Sequence, residues 1–242
     1  MTLTKEAIQH IQEIAIQPEK RFVEKRGRLF EVDSASGEAN EIRRRETSSF
    51  TTNTLSSIVA YIKALDYKAD KLYLQIKNER EVVLKSTLQD DNTRDQLIYA
   101  QAIVPDQNFK RFLSAEQLNI ELQSKFKQNE DRDILLQVVG NIKDEAVQNT
   151  SDDGISQRVT IKQGVASVAA VKVPNPVSLT PFSTFQDVEQ PERLFVFRMR
   201  EGAQGALFDT DDNSWQLKAI QSIKEYFEWE LADVKQEVVI LA

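Results

Sequence analysis

The spacing of apolar positions divides this chain into a helix-and-hairpin part followed by a strand-rich part. Ile8, Ile11, Ile14 and Ala15 share one helical face, with Thr4 placed to cap the helix and Pro18 to end it. Arg21-Phe22-Val23 and Leu29-Phe30-Glu31-Val32 flank Lys25-Arg26-Gly27-Arg28, which predicts a hairpin with glycine at the turn. Residues 33–40 are small and polar and read as a loop. Leu55, Ile58, Val59, Ile62 and Leu65 form the clearest helical stripe, and Thr51, Thr52 or Asn53 is expected to cap it. Leu72, Leu74 and Ile76 alternate with Tyr73, Gln75 and Lys77 and face Val82, Val83 and Leu84 across Asn78-Glu79, a second hairpin.

Residues 105–148 read as helical. Ser114 and Gln117 match a capping box ahead of Leu118, Leu122 and Phe126. Asp131 or Asp133 is placed to cap a further helix carrying Ile134, Leu135, Val138, Val139, Ile142 and Ala146, with a bend or break expected at Gly140. After a polar loop over 148–156 the pattern turns β-rich: Val159 and Ile161, Val165 to Val173, Val177 and Leu179, and Leu194 to Met199. Pro174, Pro176, Pro181 and Pro191 keep these strands short or at an edge. Gly205 to Phe208 reads as one more strand. Asp211-Asp212-Asn213-Ser214 then caps a last helix with the stripe Trp215, Ala219, Ile223, Phe227 and Leu231. The chain closes on Val238-Val239-Ile240-Leu241, a β run that must be paired or covered and that predicts self-association. No internal repeat or low-complexity stretch occurs.

This succession predicts an α+β fold with antiparallel sheet and segregated helices. Its parts are 1–150, rich in helices and hairpins, and 151–242, rich in strands. They form either two domains or one domain with two lobes meeting near residue 150. The chain's 242 residues, 40% hydrophobic and 29% charged, suffice for a core without covalent staples.

Composition narrows the chemistry. There is no cysteine, which excludes disulfides, thiolate metal sites and thiol nucleophiles. Met1 to Glu6 lacks the basic and apolar regions of a signal peptide, and no apolar run reaches membrane-span length, so the expectation is a cytoplasmic protein without a membrane partner. The net charge of −7 disfavours nucleic acid unless positive charge is segregated. The single histidine, His10, lies off its helix's isoleucine stripe and reads as a surface residue. Asp209-Thr210-Asp211-Asp212 reads as a solvated helix start rather than a metal site, and no cofactor is expected. Gly202-Ala203-Gln204-Gly205 reads as a plain turn, and neither glycine-rich phosphate motif nor G-x-S-x-G elbow is present.

Two arginine sets remain. Arg43, Arg44 and Arg45 are the densest basic run; Arg193, Arg198 and Arg200 surround Phe195 and Phe197. Arginine interleaved with aromatics suits single-stranded nucleic acid, and guanidinium pairs also suit an anionic small ligand. Strand alternation puts Phe195 and Phe197 on one face and Arg198 and Arg200 on the other, with Arg193 expected to leave the phenylalanine face through local irregularity.

Arg45-Glu46-Thr47-Ser48-Ser49-Phe50 leads into Leu55-Ser56-Ser57-Ile58-Val59-Ala60-Tyr61-Ile62, and Val159 to Val165 and Phe197-Arg198-Met199-Arg200 follow later. This order resembles the uncharacterised bacteriophage and prophage family typified by YfdQ, although Ile58 stands where an aromatic is more usual. The resemblance implies a phage or prophage origin and supplies no catalytic residue. With nucleophiles, bases and metal ligands missing or isolated, the expected function is non-enzymatic interaction or assembly in the host cytoplasm. The alternatives are a nucleic-acid-binding accessory of phage recombination or replication, and capture of an anionic nucleotide signal from host defence. A contiguous stripe joining Arg43, Arg44 and Arg45 with Arg198 and Arg200 distinguishes the nucleic-acid reading.

Overall fold

The computed structural model describes residues 5–6, 22–25, 28–32, 37–42, 48–65, 71–89, 92–140, 151–152, 157–159, 162–163, 166–167, 171–200, 202–210 and 213–242. The first helix beyond Lys5 and Glu6, with His10, lies outside these residues. So do Arg43, Arg44, Arg45, Asp211, Asp212 and the expected boundary near residue 150.

Strands β1 (Phe22–Lys25), β2 (Arg28–Val32) and β3 (Ala39–Ile42) form an antiparallel meander. The expected first hairpin is present, with Lys25 opposite Arg28. Ala39 and Asn40, expected in a loop, instead pair with Val32 and Glu31. The open edge of β2 offers backbone partners that a returning segment can take whatever its side chains. The chain continues through β4 (Phe50–Thr52), α1 (Leu55–Lys63), β5 (Leu72–Asn78), β6 (Glu81–Lys85) and β7 (Gln96–Gln101). Next come β8 (Leu113–Ser114), α2 (Ala115–Lys125) and α3 (Glu130–Gly140). Five short ladder strands follow: β9 (Ser151–Asp152), β10 (Gln157–Val159), β11 (Lys162–Gln163), β12 (Ala166–Ser167) and β13 (Val171–Lys172). Finally β14 (Val177–Leu179), β15 (Arg193–Arg200), β16 (Gln204–Asp209), α4 (Ser214–Glu230) and β17 (Val238–Leu241) complete an α+β fold.

Two sheets carry the cores. The five-stranded sheet has the order β17-β5-β6-β7-β4. Its centre is antiparallel, and both edge strands run parallel to their neighbours. The register stacks Leu74 beside Leu84 and Ile76 beside Val82 on one face. There Leu55, Ile58 and Ile62 of α1 and Ile223 and Phe227 of α4 bury them. The terminal run Val238 to Leu241 is paired within the chain, against β5. The four-stranded antiparallel sheet, β14-β15-β16-β8, buries Phe195, Phe197 and Leu207 against Leu118 and Leu122 of α2 and Leu135 and Val138 of α3. Each sheet recruits a strand from the other side of residue 150: β17 joins the first and β8 the second.

The segment between β14 and β15 reaches across to the first core. Phe185 is buried there, and Asp187 caps α1, its carboxylate accepting from the amides of Leu55 (3.1 Å) and Ser56 (3.0 Å). This corrects the expectation of a local cap. Thr54 holds the N-cap position without a side-chain cap bond, Thr51 and Thr52 belong to β4, and the Asn53 amide donates to the carbonyl of Gln101. Asp187→Ala should destabilise the chain by about 1 kcal/mol in chemical denaturation, with Asp187→Asn closer to wild type. An unchanged midpoint would show the cap to be dispensable.

Other expectations are also corrected. Residues 105–112 are not helical: Lys110 has φ +64°, outside the helical region, and α2 begins only after the capping box that Ser114 and Gln117 do form. Asn129, not Asp131 or Asp133, caps α3, its Oδ1 accepting from the Arg132 amide at 2.8 Å. Asp131 instead accepts from the Ser178 amide at 2.7 Å and ties α3 to β14. Asn213 precedes α4 at φ +72° without a side-chain cap bond.

Candidate functional site

Strand β15 alternates strictly. Arg193, Phe195, Phe197 and Met199 point to the core, and Leu194, Val196, Arg198 and Arg200 point away from it. Arg193 therefore stays on the phenylalanine face, against expectation. Its side chain is 5% exposed, forms a salt bridge with Asp209, and lies over the rings of Trp215 (4.5 Å), Phe109 (5.1 Å) and Phe195 (5.4 Å). A charge partner and three π faces make burial of the guanidinium tolerable, so no local irregularity is needed. Arg193 is a structural residue.

Arg198 and Arg200 are brought together on the outer face. Val196 stands beside Phe208, Arg198 beside Ala206 and Arg200 beside Gln204. The Arg200 guanidinium lies 4.3 Å over the Phe112 ring, and its Nε donates to Gln204 Oε1 at 2.8 Å. Phe112 meets Phe208 edge-on at 6.0 Å. Arg198 Nη1 donates to the carbonyl of Phe197 at 3.2 Å. Among the described residues neither Arg198 nor Arg200 forms a salt bridge, unlike Arg193, Arg80 and Arg132. At the far end of the same parity stands Glu192, exposed and hydrogen-bonded to the Ser178 hydroxyl. The outer stripe thus reads Glu192, Leu194, Val196, Arg198, Arg200, with Leu194 48% exposed.

Sequence reasoning singled out the two arginines and missed Glu192, Leu194, Val196, Phe208 and Phe112 as their companions. A period-two reading extended from 192 to 208 would have found all but Phe112. The other expected arginines, Arg43, Arg44 and Arg45, lie outside the described residues.

The outer face of the five-stranded sheet differs, because its own side chains close it. Arg94 covers the Tyr73 ring at 4.2 Å, Lys77 covers Tyr99 at 5.6 Å while pairing with Glu81 at 3.5 Å, and Lys85 donates to Gln75 at 3.0 Å. Val83 is fully buried beneath them. Desolvation by these neighbours, with a hydrogen bond to Glu81, pushes the Tyr99 hydroxyl above its ordinary pKa.

Gly202 (φ +83°) and Ala203 (φ +50°) lie in the turn from β15 to β16. Asp209 is engaged by Arg193. Among the described residues no group of three or more histidine or acidic side chains is placed to hold a metal, and no helix is long and apolar enough to cross a membrane. No protein-family model, curated protein or solved structure matches the chain.

Proposed function

We propose that this chain is a non-enzymatic interaction protein of the host cytoplasm, of phage or prophage origin, that docks a protein partner on the outer face of its four-stranded sheet. The observation that carries the reading is the make-up of that face. Leu194, Val196, Phe208 and Phe112 surround Arg198 and Arg200, no lysine takes an outward position on β14, β15 or β16, and the acid of the outer stripe, Glu192, stands at its end just before β15. Interface cores are enriched in aromatics and arginine and depleted of lysine and acids, and hot spots favour arginine in particular. The phage origin rests on the resemblance of Arg45 to Ile62 and of Phe197 to Arg200.

One observation favours a second reading. Arg200 stacked on Phe112 is also a platform for single-stranded nucleic acid. The net charge of −7 opposes it. Photo-crosslinking in expressing cells, from a benzophenone residue in place of Val196, separates the two. Adducts of discrete protein mass are expected, weakened by Arg198→Glu. Adducts with nucleic acid alone would favour the second reading, as would oligonucleotide binding whose salt slope flattens by about 0.7 per lost phosphate contact. No adduct of either kind would overturn the proposal.

A further inference from the structure

Resting on that reading, we propose that the partner is a second copy of this chain, docked face to face about a two-fold axis so that Glu192 of each copy meets Arg200 of the other. The stripe is ordered along the strand as acid, apolar, apolar, base, base. Glu192 and Arg200 stand about 27 Å apart at ordinary strand rise. Two such faces can stack about a two-fold axis lying between them, either along the strands or across them. An axis along the strands sets Glu192 on Glu192 and Arg200 on Arg200. An axis across the strands at Val196 reverses the stripe, so that Glu192 faces Arg200, Leu194 faces Arg198 and Val196 faces its own mate. Of the two arrangements only that one sets opposite charges together at both ends, with the Arg198 stem lying along Leu194, and such self-complementarity is what an isologous contact requires.

The neighbouring strand fits the same axis. Phe208 is level with Val196 in the ladder, so both apolar residues fall at the centre of the contact, with the charges at its ends. This is the core-and-rim layout of a protein interface. The end groups are held in place beforehand, which lowers the entropic cost of docking. The Ser178 hydroxyl holds Glu192, while Phe112 and Gln204 hold Arg200. Sheet faces stack with strands inclined by about 30°, which long arginine and glutamate side chains can span.

The test is sedimentation equilibrium of the purified full chain, with melting curves to confirm that each variant is folded. Wild type should be a dimer in the micromolar range. Glu192→Arg and Arg200→Glu each place like charges together twice per dimer and should weaken association about tenfold. The double variant restores both pairs and should return to within about threefold of wild type. Val196→Asp should abolish the dimer. A monomeric wild type at high micromolar concentration, or a double variant no better than the singles, would overturn the proposal. Should a single variant not fold, the benzophenone probe at Val196 decides with the purified chain: an adduct of twice the chain mass supports the second copy, and none overturns it. Cellular adducts with a different protein, beside a monomeric purified chain, would refute the second copy and leave the docking face standing. No adduct anywhere would remove both.

Discussion

Asp209→Ala is expected to destabilise the chain by about 3–5 kcal/mol, because it removes the carboxylate paired with a buried guanidinium. Arg193 is 5% exposed and cannot shed its proton at any ordinary pH. Its charge must be met where it lies. The three surrounding rings each supply a fraction of what a carboxylate does, about 0.5–2 kcal/mol apiece. They belong to Phe109 in the segment before β8, Phe195 in β15 and Trp215 in α4, so the side chain joins three parts of the fold. The reverse deletion, Arg193→Met, should cost less, since Asp209 is more exposed, at 13%, and methionine keeps most of the packing. The double variant Arg193→Met with Asp209→Leu removes both charges and should recover most of the loss, as buried ion pairs replaced by apolar side chains often do. Urea or guanidinium midpoints measure all three. A loss below about 1 kcal/mol for Asp209→Ala would show that the guanidinium is solvated or satisfied by other groups.

The elements legible in the sequence are those whose signal lies within the element. The α1 stripe from Leu55 to Ile62 is buried as its spacing predicts, and so is the α4 stripe from Trp215 to Phe227. The alternation of Leu72, Leu74 and Ile76 is likewise a strand with one buried face. Strand β7 escaped notice because Gln96 and Gln101 bracket a short apolar core, and only pairing with β6 decides its state. The α1 cap escaped because Asp187 lies far along the chain and no local pattern announces it. The candidate face divides in the same way. The outward parity of Arg198 and Arg200 follows from a period of two. The inward fate of Arg193 depends on Asp209, Phe109 and Trp215, which only the fold assembles. Phe112 was hidden by the helical reading of 105–112.

Gly205→Ala is expected to destabilise by about 1–3 kcal/mol, through crowding rather than backbone strain. Gly205 lies in β16, where α2 crosses the four-stranded sheet. A methyl group there would stand 2.6 Å from Leu118 Cδ2 and 3.1 Å from Phe197 Cε2. Two effects oppose each other. Alanine restricts the unfolded chain and suits a strand better than glycine, which favours the variant by about 0.5–1 kcal/mol. The methyl group must displace Leu118, which is 3% exposed and packed against α3 and β15, so it cannot swing into solvent without opening the core. Crowding wins in that balance, and Gly205→Val should be worse. Leu118→Ala alone should cost about 2–5 kcal/mol, because it leaves a cavity. In the double variant the Gly205→Ala methyl group fills part of that cavity, so the combined loss should fall short of the sum of the singles by about 1 kcal/mol or more. Gly140→Ala is the control. Its nearest neighbour would be Asn119 Nδ2 at 3.6 Å, an ordinary contact at the end of α3, and it should be neutral or stabilising by up to about 1 kcal/mol. Denaturation of wild type, the two single variants and the double variant completes the cycle. An additive double variant, or a Gly205→Ala chain as stable as wild type, would mean that α2 can lift from β16 at no cost.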